Sequence, residues 1–136
     1  MSSKSMKAWN LYAPADLRYE EVPVPKIGPG EVLVKVQAVG VCGSDISRLM
    51  ETGTYHFPTI CGHEFAGEVV EVAPGVSNCK VGDRVTVIPL LPCGTCDFCR
   101  LGQYQLCDHY NYLGSRTDGA YAEYVKVWAS NVLHLP

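Results

Sequence analysis

Long apolar runs are missing from this sequence. No stretch approaches the ~18 consecutive apolar residues that cross a membrane, and the opening residues, MSSKSMKAWN, lack the apolar centre and cleavage site of a signal peptide. A cytoplasmic location is therefore expected. Clusters of positive charge are missing as well: 11 lysines and arginines are scattered among 14 aspartates and glutamates, for a formal net charge of −3. Without a basic patch there is no electrostatic footprint for nucleic acid or an anionic membrane surface, and neither is an expected partner. Internal repeats and low-complexity stretches are absent. So is a G-x-G-x-x-G turn following a strand, which leaves these residues without a dinucleotide-binding signature. Helical pattern is scarce, with single short turns expected at 44–51 and 97–102.

What remains is the composition of one globular domain. A chain of 136 residues, 47% hydrophobic, can hide roughly two-thirds of its unfolded surface. Residues 1–5 are small and polar and read as a tail or expression scar, with the domain proper at 6–136. The segments KAWNLY, LRYEEV, EVLVKVQAV, GEVVEVA, DRVTVIP and AYAEYVKV are short, rich in valine and tyrosine, and mostly separated by Gly, Pro, Asn or Asp. They predict a mainly β fold, a barrel with short helices and a cysteine-rich loop. In EVLVKVQAV the alternation puts Val32, Val34, Val36 and Ala38 on one face and Leu33, Lys35 and Gln37 on the other.

Seven cysteines in a chain without a secretion signal point to metal or catalysis rather than disulfides. Four of them are spaced Cys93-x2-Cys96-x2-Cys99-x7-Cys107. Thiolates two residues apart can turn inward on one ion, and four sulfurs fill a tetrahedral zinc shell with no position open for substrate, so this site would fix a loop. Gly94 and Gly102 ease the tight path. An iron–sulfur motif of the C-x2-C-x2-C type would continue with x3-C-P, whereas the gap here is seven and Asp108 follows. Four unligated thiols in one loop would be an oxidation liability.

A second set is less obvious. Cys42 stands in GVCGSD, and His63 and Glu64 in CGHEF. A thiolate, an imidazole and a carboxylate make the incomplete shell of a catalytic zinc. Taken singly, such a cysteine is commonly a small core residue and a His-Glu pair a satisfied polar contact. Asp45 is placed to accept the free N–H of His63 and fix its tautomer; its plainer role is a turn-forming aspartate.

Taken together, GVCGSD, PTICGHEFAGEVVEVAPGV, VGDRV, the four-cysteine loop and DGAYAEYV resemble, in order and near-spacing, the zinc-dependent medium-chain alcohol and polyol dehydrogenases. The resemblance covers about residues 6–136. Within that family it leans towards the galactitol-1-phosphate and sorbitol dehydrogenase branch, on CGSDISR, VIPLLPCGTCDFC and YLGSRTDGAYAEYV. It implies a GroES-like β-barrel, Cys42 and His63 as catalytic-zinc ligands, and Glu64 either ligating or just behind the ion. Cys93, Cys96, Cys99 and Cys107 match the structural zinc. A zinc at Cys42 and His63 would act as a Lewis acid on a secondary alcohol of a polyol or polyol phosphate, Ser44 would take the hydroxyl proton, and NAD would take the hydride.

The NAD-binding half implied by the family is not found here, so a catalytic domain inactive alone is expected, belonging to a full-length homo-oligomer. Ser47 stands where many relatives carry a histidine that ends the proton relay. Arg48 and Arg116 are candidates to read a substrate phosphate, with Tyr55 at the cleft; the plainer reading is that both arginines are solvated surface charges and that Tyr55 packs at the core or rim. Cys61 is expected to pack, and Cys79 to be a free thiol on a surface turn. A rival of another class is a non-catalytic, zinc-stabilised β-barrel that serves as an interaction module.

Overall fold

The computed structural model describes residues 4–136. All six predicted strand segments form strands. β1 (Ser5–Ala13) and β2 (Asp16–Pro23) make an antiparallel hairpin, and β3 (Glu31–Val39) follows. A short helix α1 (Gly43–Ser47) runs directly into a π-helical turn, Arg48–Thr52. Next come the two-residue β4 (Thr59–Ile60), β5 (Phe65–Val72), β6 (Arg84–Val87) and β7 (Leu90–Leu91). Helix α2 (Asp97–Arg100) lies in the cysteine loop, and β8 (Asn111–Tyr112), β9 (Tyr124–Trp128) and β10 (Val132–His134) complete the chain.

Three sheets result, ordered β2-β1-β4, β10-β6-β5-β3-β9 and β7-β8, with every strand pair antiparallel. The segment just before β9 joins the first two into a barrel. Trp9 N–H donates to the Tyr121 carbonyl (2.8 Å), Glu123 N–H to Lys7 O (3.1 Å) and Val36 N–H to Glu123 O (2.9 Å).

The core follows the two-residue period of the strands. Val125 and Val127 of β9 point inward while Lys126 and Trp128 are exposed, and Phe65, Gly67 and Val69 of β5 alternate with outward Glu68. Val32, Val34, Val69, Val85, Val125, Val127 and Leu113 are the centre of one cluster, and Met6, Ala8 and Ile60 of a smaller one. Gly67 allows β5 to approach β3: a Cβ there would lie 2.2 Å from the Lys35 carbonyl oxygen.

Three expectations need correction. Strict alternation in β3 fails: Leu33 is buried between Val32 and Val34, and Ala38 is exposed. The register of β3 against β5 shifts at Leu33/Val34 and again at Val36/Ala38, and such bulges reset which face a side chain occupies. The proposed tail is too long, because Ser5 pairs with Pro23 and Val24 N–H donates to Lys4 O; residues 1–3 lie outside the described residues. Cys79 is buried in the main core rather than displayed on a turn, and burial, with Asp83 nearby, pushes its thiol pKa up. The short β4, β7, β8 and β10 were not predicted; two or three residues carry too little periodicity to register.

Candidate metal centres and active site

The cysteine loop leaves the barrel after β7 and returns to it at β8. Gly94 and Gly102 both adopt left-handed backbone, φ +73° and +74°, and this lets the chain double back between the cysteines. The four Sγ atoms of Cys93, Cys96, Cys99 and Cys107 lie within 4.8 Å of one another, and Cys93 and Cys99 Sγ are 3.9 Å apart. Zinc–sulfur bonds of about 2.3 Å in a tetrahedron require sulfur separations of roughly 3.8 Å, so the donor set fits a zinc ion. Hydrogen bonds favour thiolate at Cys93, where the Thr95 hydroxyl and the Thr95 and Cys96 N–H groups point at Sγ and bring its pKa down to about 5. Burial acts the other way on Cys99, raising it to about 12, an opposition that a divalent cation at the centre would remove.

A second set converges elsewhere in the fold. Cys42 immediately precedes α1, His63 lies between β4 and β5, and Glu64 borders β5; their ligand atoms also fall within 4.8 Å of one another. Behind them Asp45 is fully buried. Its carboxylate accepts from Tyr121 OH (2.9 Å), Cys42 N–H (3.1 Å) and Arg48 Nη1 (3.4 Å). His63 Nδ1 is 3.6 Å from Asp45 Oδ1, longer than a hydrogen bond, and is a buried nitrogen without a partner. With Nδ1 turned towards Asp45, Nε2 is the nitrogen left to ligate. A metal that draws the ring by a few tenths of an ångström would close that contact, so this donor set fits a zinc as well. Tyr121, half-buried and donating to Asp45, has its own pKa raised, by burial first and Asp45 second.

Main-chain contact holds His63 in place. Residues 60–62 lie against 118–121, with Gly119 N–H donating to Ile60 O (2.6 Å), Tyr121 N–H to Cys61 O (2.9 Å) and Ala120 N–H to Gly62 O (2.9 Å). A Cβ on Gly119 would be 2.0 Å from Gly62 O. The glycines of CGHEF and DGAY are thus one backbone-on-backbone junction rather than two separate turns.

The predicted site residues separate into groups. Cys42, His63, Glu64 and Asp45 are brought together, and Ser44 is exposed on α1 two residues from Cys42. Arg48 is half-buried and engaged by Asp45, so it is not a solvated surface charge. Arg116 is clasped by aromatic rings: its guanidinium carbon is 4.1 Å from the Tyr55 centroid and 4.5 Å from that of Tyr110. Cys61 is fully buried, as expected of a packing residue, and desolvation raises its thiol to about 11. Sequence reasoning missed Tyr121 and Tyr112, the latter edge-on to His63 at 5.6 Å between centroids; tyrosines in a β-rich pattern carry no mark of their partners.

Residues 28–136 match the family model described as the alcohol dehydrogenase GroES-like domain. The chain belongs to that family. A galactitol 1-phosphate 5-dehydrogenase of Escherichia coli (strain K12) is 43% identical over 121 residues, covering 88% of this chain and 35% of the relative. An L-threonine 3-dehydrogenase of Pyrococcus abyssi is 49% identical over 121 residues, covering 85% and 34%. The crystal structure of galactitol-1-phosphate dehydrogenase from Escherichia coli superposes with a TM-score of 0.92 at 41% identity, across 96% of this chain and 38% of that one. The chain spans about a third of the length of these curated relatives.

In this GroES-like domain the buried Asp45 stands behind the Cys42–His63–Glu64 cluster. Asp45→Asn keeps its volume but presents an amide to Arg48 and His63, and zinc affinity at the Cys42 site is expected to fall ~10–100-fold. Competition titration against a chelator will measure this. An unchanged affinity at that site would show that Asp45 does not orient His63.

Proposed function

We propose that this chain is the zinc-bearing part of a dehydrogenase that oxidises a secondary alcohol of a sugar alcohol or sugar-alcohol phosphate, galactitol 1-phosphate foremost, to a ketone with NAD. The observation that carries the reading is the convergence of Cys42, His63 and Glu64 over buried Asp45, separate from the four-thiol loop. A structural barrel already fixed by one complete zinc shell gains nothing from a second, incomplete one, and this argues against a purely non-catalytic module.

A zinc ion held by Cys42 and His63, with Glu64 ligating or adjacent, would supply Lewis acidity towards the substrate hydroxyl. The chain's own residues supply position and proton handling. Asp45 orients the imidazole and Tyr121 orients Asp45. Ser44, exposed two residues from Cys42, takes the hydroxyl proton and passes it to solvent, with Ser47 one helical turn on. NAD, which a dinucleotide-binding domain of the whole protein would hold, would supply the hydride acceptor. The products balance as ketone, reduced cofactor and one proton.

NAD reduction by the whole protein tests this, with galactitol 1-phosphate compared against galactitol and sorbitol. A preference of at least about tenfold for the phosphate is expected from one well-placed guanidinium contact. A preference for the free sugar alcohols would move the protein to the sorbitol dehydrogenase side, and inactivity of the zinc-loaded protein on all three would overturn the reading.

A further inference from the structure

Among the described residues no carboxylate balances the charge on Arg116. Arg18, Arg48 and Arg100 each have a carboxylate within ion-pair distance, whereas among the described residues the exposed Arg84 and the half-buried Arg116 have none. Its guanidinium lies between the rings of Tyr55 and Tyr110, with Nη2 donating to the Tyr110 hydroxyl at 3.3 Å, and its Nε–H is buried without an acceptor. Aromatic faces attract a cation but do not neutralise it. A half-buried cation with an orphaned donor is costly unless an anion completes it.

The arginine is also held in place. Its N–H donates to the Tyr112 carbonyl (3.1 Å), and its own carbonyl lies 3.2 Å from His56 Nε2, a ring whose Nδ1 is 3.2 Å from Thr59 Oγ1. Tyr112 is the ring set edge-on to His63, so the turn that carries Arg116 borders the Cys42–His63–Glu64 cluster. On the other side Tyr55 is 67% exposed, so one face of the guanidinium is covered only by a surface ring.

We infer that Arg116, clasped by Tyr55 and Tyr110, binds the anionic end of the substrate, a phosphate monoester, and that Arg48 does not. Arg48 is a positioning residue, bound to Asp45 at 3.4 Å and acting through it on His63. The guanidinium fork suits phosphate oxygens, and a pre-clasped fork loses little freedom on binding. The inference rests on the polyol-phosphate dehydrogenase reading and narrows it to one residue.

Binding to the zinc-loaded chain, followed by nitrogen-15 NMR, tests it without requiring turnover. Inorganic phosphate and galactitol 1-phosphate are expected to move the Arg116 Nε–H resonance and the amides of Gly114 and Thr117, with dissociation constants on the order of 1–10 mM. Galactitol should not move them. Arg116→Gln should abolish the amide response, Arg116→Lys should weaken it roughly tenfold, and Arg48→Lys should keep it; the lysine variant retains the charge should the glutamine variant fold poorly. A phosphate response that survives Arg116→Gln, an equal response to galactitol, or acetate binding as tightly as phosphate would overturn the assignment. A whole enzyme that binds phosphate at Arg116 yet reduces no NAD would overturn the dehydrogenase reading and leave this result standing.

Discussion

Gly119→Ala is expected to destabilise the domain by about 3 kcal/mol or more and to disrupt the Cys42–His63 cluster with it. The added methyl would stand 2.0 Å from Gly62 O and 2.9 Å from Cys61 O, both backbone atoms that cannot rotate aside. Overpacking of this kind costs ~1–3 kcal/mol where side chains give way, and more where only main chain can move. The same displacement would break the 2.6 Å Gly119–Ile60 hydrogen bond and shift the segment that carries His63. Gly82→Ala is the control: its φ of +92° strains alanine, but nothing lies within 4 Å of the new methyl, so it should cost only about 1–2 kcal/mol. Chemical denaturation of both variants measures the difference, and equal losses would show that the close approach at Gly119 is not what matters.

Cys99→Ser has the other large effect, confined to a different place. Cys99 is buried on α2 and faces the other three sulfurs, so the variant should lose one zinc ion per chain by metal analysis. At free zinc a thousand times the dissociation constant, that binding contributes about 4 kcal/mol. Hydrogen exchange should accelerate across residues 92–107 while β3 and β5 stay protected, because those strands draw on the valine core rather than on the loop. Accelerated exchange throughout the barrel would mean that the metal holds the whole fold.

The sequence disclosed the long strands, since Val125 and Val127 or Phe65 and Val69 keep one parity for the length of the element. It disclosed the four-cysteine loop too, because ligand spacing there is local and the backbone glycines lie within it. It did not disclose the two bulges in β3, which arise from pairing with β5 and leave no local trace. Cys79 was misplaced for a similar reason: GVSNCKVGD has the composition of a turn, yet the side chain is drawn into the main core. Cys42, His63 and Glu64 were singled out by residue type and resemblance, but that Tyr121 holds Asp45 and that Tyr55 covers the Arg116 guanidinium depends on contacts across tens of residues. No periodicity encodes those contacts.

The closing segment before β9 also bears on the order in which the molecule assembles. The contacts of the thiol lobe span short stretches of chain: Cys93 N–H reaches Cys107 Sγ across 14 residues. The Tyr121–Asp45 bond spans 76. Closing a long loop costs more entropy and waits on the rest of the topology. A nascent chain can therefore gather its four-sulfur site as soon as residue 107 is available, whereas the Cys42–His63 site acquires its geometry only once residues 118–121 have docked. On this account the geometry of the Cys42–His63 cluster is the last property the domain acquires, and that of the four-sulfur loop comes before it.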